Sequence, residues 1–259
     1  PTMKILCLSD LHQRMTDISD VIHQKRFTPF LQSIRDVVED TTPDVIVVTG
    51  DTVPTTYVVS LKAFFGNLFP SDMPVIATLG NHEFWERPFE ETLENAKNQN
   101  ADAPNVHILD AEPSVIIDGT NFVGGCLFFD GSMRWREDDD LLPWGGWQDW
   151  RIPEIETRYK EFNAYYVERI RQAMKPNMPH VLCTHHLPHV ALNGFEPNHY
   201  SYYSGMKDLV SQLPFDNAFP NALICGHTHK RVIGEVVPGF YCVNVGSDYG
   251  VLNYYLLEL

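Results

Sequence analysis

The chain holds no apolar run near the roughly 20 residues that cross a bilayer, so no membrane helix is expected. It is short of positive charge, with 19 Lys and Arg against 34 Asp and Glu and a formal net charge of −15. Gripping a long polyanion takes a basic face that displaces counterions. Tight binding of long DNA or RNA is therefore disfavoured, while a small or protein-borne anion remains open. Cysteine is sparse: Cys7, Cys126, Cys183, Cys225 and Cys242, all in apolar runs and none in a C-x-x-C pair. An odd, unpaired set gives no disulfide framework. Small buried core residues are expected instead, and a reducing, cytoplasmic compartment fits. There is no internal repeat, low-complexity tract or linker. The chain enters its first apolar run almost at once, so no signal peptide is expected.

Apolar residues make up 44% of the 259 positions, enough for a full core. Five apolar runs read as strands buried on both faces: Lys4 to Ser9, Val45 to Thr49, Val75 to Leu79, Val181 to Thr184 and Ala222 to Cys225. Each is followed at once by His, Asp or Asn: Asp10-Leu11-His12, Gly50-Asp51, Gly80-Asn81-His82-Glu83, His185-His186 and Gly226-His227-Thr228-His229. Such side chains at the carboxyl ends of parallel strands converge on one rim. Between the strands, Phe27 to Glu39 carries helical spacing, Val58 to Phe69 reads as helix and Phe89 to Asn98 as a polar surface helix. This βαβαβ order predicts an α/β fold with a mainly parallel sheet. Val106 to Leu109, Ser114 to Ile117 and Asn121 to Phe128 look like successive strands, with Asp118-Gly119 as a hairpin turn. Pro153 is placed to open a helix running to Met174. Three short strands follow near Val232 to Val237, Tyr241 to Val245 and Leu252 to Leu257. Because the polar blocks lie along the whole chain and must meet in space, residues 1–259 are expected to form one domain.

Singly, each block has an ordinary explanation: Asp10 a helix cap, Asp51 or Asn81 a turn residue, His227 and His229 surface histidines. The ordered set DxH, GD, GNHE, H, GHTH is another matter. It resembles the calcineurin-like metallophosphoesterase family over nearly the whole chain. The resemblance implies a four-layer αββα sandwich of two mixed sheets flanked by helices. It implies two divalent metal ions, Mn²⁺ first and Fe, Zn²⁺ or Ni²⁺ as alternatives. Asp10, His12 and His229 would hold one metal and Asn81, His185 and His227 the other, with Asp51 bridging. The first histidine of the His185-His186 pair is the ligand in similar proteins. Neighbours on a strand point to opposite faces, so His186 is expected beside the site. His82 matches the family's catalytic histidine and would give a proton to the leaving oxygen while a metal-bridging hydroxide attacks phosphorus.

The expected activity is hydrolysis of a small phosphodiester or phosphomonoester, with no membrane partner and no particular oligomeric state. A nuclease would need a basic groove. A protein phosphatase of the family carries an acidic residue and Arg-Gly where this chain has Pro54, Thr55 and Thr56. What orients His82 is left open, because the Asp–His pairing of those phosphatases is missing in that form. A non-catalytic scaffold would have lost His82 or several ligands; all are present. Arg14, Lys230 and Arg231 lie near the blocks in sequence, as surface charge or phosphate contacts. Residues 131–152 hold four of the five tryptophans, Trp135, Trp144, Trp147 and Trp150. That segment reads either as core packing or as a cap that stacks a flat group over the site.

Overall fold

The computed structural model describes residues 2–137 and 146–259. In chain order the elements are β1 (Lys4–Leu8), α1 (Met15–Gln24), α2 (Pro29–Thr41), β2 (Val45–Thr49), α3 (Leu61–Leu68), β3 (Val75–Thr78), α4 (Phe89–Lys97), β4 (Val106–Ile108), β5 (Ser114–Ile117) and β6 (Thr120–Gly125). Then come α5 (Ile155–Ala173), β7 (His180–Thr184), β8 (Asn221–Cys225), β9 (Val232–Val237), β10 (Phe240–Asn244) and β11 (Tyr255–Glu258). The first sheet runs β11-β1-β2-β3-β4, parallel except for the antiparallel edge β11. The second runs β5-β6-β7-β8-β10-β9, with antiparallel pairs at both edges.

The period-2 alternation of each strand decides how the layers stack. Ile5, Cys7, Val45, Val47 and Ile76 of the first sheet meet Phe122, Val181, Cys183, Ala222, Ile224 and Val243 of the second in one buried cluster. Their neighbours turn outward. Leu6, Leu8, Ile46 and Val48 pack with Ile18 and Val21 of α1, Leu31 and Ile34 of α2 and Phe64 and Phe65 of α3. Val123, Leu182 and Leu223 pack with Phe162, Tyr166 and Ile170 of α5. The result is the four-layer sandwich. Burying both faces explains why these strands read as unbroken apolar runs, each side chain contributing roughly 1.5–3 kcal/mol.

Several boundaries differ from the sequence expectation. Helix α1 is absent from it, because Ile18, Val21 and Ile22 are the only apolar positions within an otherwise polar decapeptide after Met15. Thr55–Ser60 forms a separate 3₁₀ turn before α3. The α4 face bearing Phe89, Leu93 and Ala96 is buried, and Phe89 stacks on Phe162 at 4.2 Å. The strand predicted to reach Phe128 ends at Gly125. The three middle strands also do not form one run: β4 closes the first sheet, and the chain then crosses to start the second. The β5–β6 hairpin turns at Asp118 and Gly119, both left-handed at φ 45° and 79°, as a two-residue turn requires. Helix α5 starts at Ile155, two residues beyond Pro153.

The crossover between the sheets is pinned by Asp110, fully buried. Its carboxylate accepts the Leu79 N–H at 2.7 Å, the Cys126 N–H at 2.8 Å and the Tyr166 hydroxyl. It thus joins the end of β3, the end of β6 and α5. Asp110→Ala strands three buried donors and is expected to cost roughly 3–5 kcal/mol, read by urea unfolding. A loss below about 1 kcal/mol would mean that water reaches the site.

Candidate metal centre

The strand ends carry an unusual backbone. Asp10, His12, Asp51, His227 and His229 all have φ between 44° and 71°, a region that residues with a Cβ rarely occupy. The strain is held by a network of hydrogen bonds. Asp10 N–H donates to Gly50 O at 3.1 Å, His12 N–H to Asp51 O at 2.8 Å, and Gly226 N–H to His185 O at 3.1 Å. Glu83, fully buried, accepts the N–H groups of Gly80, Asp51, Thr52 and Val53 at 2.6–3.1 Å. Glycine is needed at two of these turns. A side chain at Gly50 would run into the His185 ring, and one at Gly80 into the Asp51 carboxylate.

The donors fall into two groups that meet at Asp51. In the first, His229 Nε2 lies 3.4 Å from Asp10 Oδ1 and 3.3 Å from His12 Nε2, which is 3.9 Å from Asp51 Oδ2. In the second, Asn81 Oδ1 lies 2.8 Å from His185 Nε2 and 3.0 Å from His227 Nδ1, and His185 Nε2 is 3.4 Å from the same Asp51 Oδ2. Ligand bonds of about 2.1 Å place neighbouring donors about 3 Å apart, so the spacing fits cations. The mixed carboxylate, amide-oxygen and imidazole set suits borderline divalent metals.

The far side of several donors is also fixed. His185 Nδ1–H donates to Thr49 O at 2.9 Å, His227 Nε2–H to Tyr203 O at 3.1 Å and His229 Nδ1–H to Asp248 Oδ1 at 3.0 Å. Each points its other ring nitrogen into the site, with the outward hydrogen bond that usually stands behind a metal-bound imidazole. Asn81 Nδ2 donates to Asp149 Oδ1 at 2.7 Å, which turns its carbonyl oxygen inward. Asp10, His12, Asp51, His185 and His229 fall in clusters able to hold metal, one of which also takes in His82, and Asn81 and His227 lie beside them. Sequence reasoning missed Glu83, Asp149 and Asp248. Glu83 follows Gly80 by three residues, a helix-start spacing that signals a carboxylate turned back on backbone N–H groups. Nothing local marks Asp149 or Asp248.

His186 packs between the rings of Phe128 at 5.2 Å and His227 at 4.2 Å, with Nδ1 3.4 Å from Cys126 O. His82 sits at the rim, Nε2 3.6 Å from Asp51 Oδ2, with its N–H on Asp51 Oδ1 at 3.0 Å. The centre opens into a cavity of 480 Å³ past Gln13, Thr52 and Arg151, and another of 380 Å³ past Trp147, Phe195 and Lys230. Asp51, His82, Trp85 and Tyr249 border both. Of the cations near the motifs, Arg14 pairs with Asp17 in solvent and Arg231 binds the carbonyls of Val245 and Tyr254. Trp147 is 5% exposed and stacks on Tyr203 at 4.5 Å, so it packs as well as lines a cavity. Trp135 and Trp150 are exposed. Trp144 and the end of the acidic run lie outside the described residues.

An α/β sandwich with clustered Asp, Asn and His donors on its carboxyl rim is the architecture of a metal-dependent phosphoester hydrolase. The family model for calcineurin-like phosphoesterase matches residues 3–231, and the chain belongs to that family. Comparison with curated proteins finds no match. Among solved structures, it is similar to the phosphopantetheinyl hydrolase of Mycobacterium tuberculosis, with 15% identity, TM-score 0.55 and 96% and 90% of the two chains covered. It is also similar to a dimetal phosphatase from Danio rerio, with 14% identity, TM-score 0.50 and 97% and 88% covered. At these identities the likeness speaks to the fold. Among the described residues, no helix is long and apolar enough to cross a membrane.

Electrostatics set a pH dependence. Burial works against charge on His185, but Asp51 and Asp10 outweigh it and hold its pKa up at about 10. Burial and His185 together push His227 down to about 3. His185 ordinarily titrates near 6.5, so the stability its proton gives the metal-free protein is full below that pH. It is lost as pH climbs through about 10. An incoming metal must displace this proton. Apparent Mn²⁺ affinity is therefore expected to tighten by roughly tenfold per unit between pH 7 and 9, measured by chelator competition; a flat profile would mean that the metal displaces no proton from His185. His185→Ala should strip metal, whereas His186→Ala should retain it with a loss of at most roughly 10–100-fold in affinity or activity. Metal analysis of the two variants decides; the reverse result would exchange their roles.

Proposed function

We propose that the chain is a single phosphoesterase domain that hydrolyses a small phosphodiester or phosphomonoester with two divalent cations, Mn²⁺ first and Fe, Zn²⁺ or Ni²⁺ as alternatives. The observation that carries this reading is Asp51 Oδ2, the shared corner of two donor groups. Asp10, His12 and His229 would hold one cation and Asn81, His185 and His227 the other. Bound there, the cations would supply Lewis-acid stabilisation of phosphate oxygens and a water acidic enough to attack at neutral pH.

The chain's own residues do the rest. Asp51 and Asp10 concentrate negative charge where cations are needed, and the acceptors behind His185, His227 and His229 orient those three imidazoles. His82, with 22% of its side chain exposed, borders both cavities and can reach a leaving oxygen. Burial lowers its pKa despite the pull of Asp51, which makes its proton readier to leave once carried. Lys230 borders the smaller cavity and is the cation best placed to meet an anionic substrate there. The net charge of −15 weighs against a nuclease, and Pro54, Thr55 and Thr56 against a protein phosphatase. We assign residues 146–152 to the rim of the site and its work to the cytoplasm, in keeping with five buried free thiols.

The test is a hydrolysis screen of the Mn²⁺-loaded protein on bis-p-nitrophenyl phosphate, p-nitrophenyl phosphate and nucleoside esters, with a chelator control. Chelator-sensitive turnover is expected; fewer than one bound metal and no turnover on activated esters would contradict both site and reaction. His82→Asn should keep its metals and slow an alkyl or nucleoside ester by roughly 10²–10⁴-fold. It should slow a p-nitrophenyl ester clearly less, because that leaving group hardly needs a proton. Equal slowing of both would remove the acid role.

A further inference from the structure

The sequence left open what orients His82. Its ring stacks on Trp85 with centroids 3.7 Å apart and planes 26° from parallel. The Arg151 guanidinium carbon lies 4.3 Å from the centroid of the same indole. An imidazole and a guanidinium that close to one centroid cannot share a face, so Trp85 is clamped between them. The indole is fixed edge-on as well: Trp85 Nε1–H donates to Asp149 Oδ1 at 2.9 Å. Asp149 is buried and sits in a 3₁₀ turn with Arg151. That turn is docked on the His82 loop by Glu86 N–H to Arg151 O at 2.7 Å and by the Arg151–Glu86 ion pair. The same Asp149 oxygen accepts Asn81 Nδ2 at 2.7 Å.

We propose that Trp85 is the positioning residue for His82, and that Asp149 ties the orientation of His82 to that of Asn81 through the indole. Each piece has a physical reason. A surface histidine rotates freely about χ1 and χ2, and a proton donor must lie within hydrogen-bond reach of the leaving oxygen. A broad flat ring removes that freedom at little entropic cost, because Trp itself has few torsions and here is held on both faces and at Nε1. Stacking occupies neither imidazole nitrogen, and Nε2 stays on the side of Asp51 Oδ2, 3.6 Å away. A cation on the outer face of the indole strengthens the clamp. This inference rests on the proposal that His82 takes part in turnover.

The test is a double-mutant cycle with His82→Asn, Trp85→Ala and the pair, read as kcat and KM on an alkyl or nucleoside ester, with metal content and melting temperature measured alongside. Trp85→Phe is the conservative control, since it keeps a stacking face and loses only the Asp149 bond. Trp85→Ala is expected to keep its metals and its KM within about twofold, and to lower kcat by at least roughly tenfold. It should add almost nothing to His82→Asn, and Trp85→Phe should recover only part of the rate, since it restores the stacking face without the tie to Asp149; full recovery would overturn the Asp149 tie. A Trp85→Ala loss that persists in full on the His82→Asn background, or falls on KM alone, would overturn the proposal, the second by making Trp85 a substrate contact. Loss of metal in both Trp85→Ala and Trp85→Phe would overturn it too, by making the indole a support of the ligand shell. If His82→Asn itself turns over at the full rate on every ester, the catalytic reading of His82 fails first and the positioning role falls with it. If His82→Asn is impaired and the effects simply add, only the positioning role fails.

Discussion

Two carboxylates, Asp10 and Asp51, are buried at the carboxyl ends of adjacent strands, and the charges that offset them are borne by imidazoles. Burying an unpaired carboxylate is among the most costly things a fold can do. Burial pushes both groups toward protonation, yet the surrounding histidines hold them ionised, Asp51 well below the usual carboxylate range. The site turns two carboxylates, an amide oxygen and four imidazole nitrogens into one space, and three of the imidazoles also donate outward. The proposed cations would complete such a centre. That requirement explains the left-handed backbone at five donor positions, the glycines beside them and the convergence of both sheets on one rim.

The support is layered outward from this constraint. Glu83 gathers four backbone N–H groups and so holds the ends of β2 and β3 at a fixed distance. Asp149, from the segment ahead of α5, aligns Asn81. Asp248, from the loop before β11, aligns His229, while the neighbouring Tyr249 ring lies over His12 at 4.2 Å. Elements far apart in sequence thus each contribute one acceptor behind a donor. Loosening any of them would let a donor rotate without disturbing the sandwich itself.

How much of this was legible in the sequence follows from where the information lies. The strands before the donors could be read because both faces are buried, so their apolar runs are unbroken. The donors could be read because each follows its strand at once, and the ordered set is specific where no single block is. The choice of His185 over His186 came from resemblance. What could not be read is carried by contacts without local signature: Asp149 and Asp248 look like ordinary acidic loop residues, and Trp85 like one aromatic among many. Helix α1 was hidden because only a narrow stripe of it is apolar. The strand predicted to reach Phe128 stops at Gly125 because Cys126 N–H turns to Asp110 and the following phenylalanines dive into the helix-side core.

The central claim is that Asp51 is shared by two cation sites built from the two donor groups. Diffraction from crystals of the Mn²⁺-loaded protein, collected at the manganese absorption edge, tests it most directly. The account predicts two anomalous peaks roughly 3.5–4 Å apart, the usual spacing of paired catalytic metals. Asp51 should contact both, Asp10, His12 and His229 should surround one, and Asn81, His185 and His227 the other. A single peak, or two peaks with no common contact to Asp51, would contradict it.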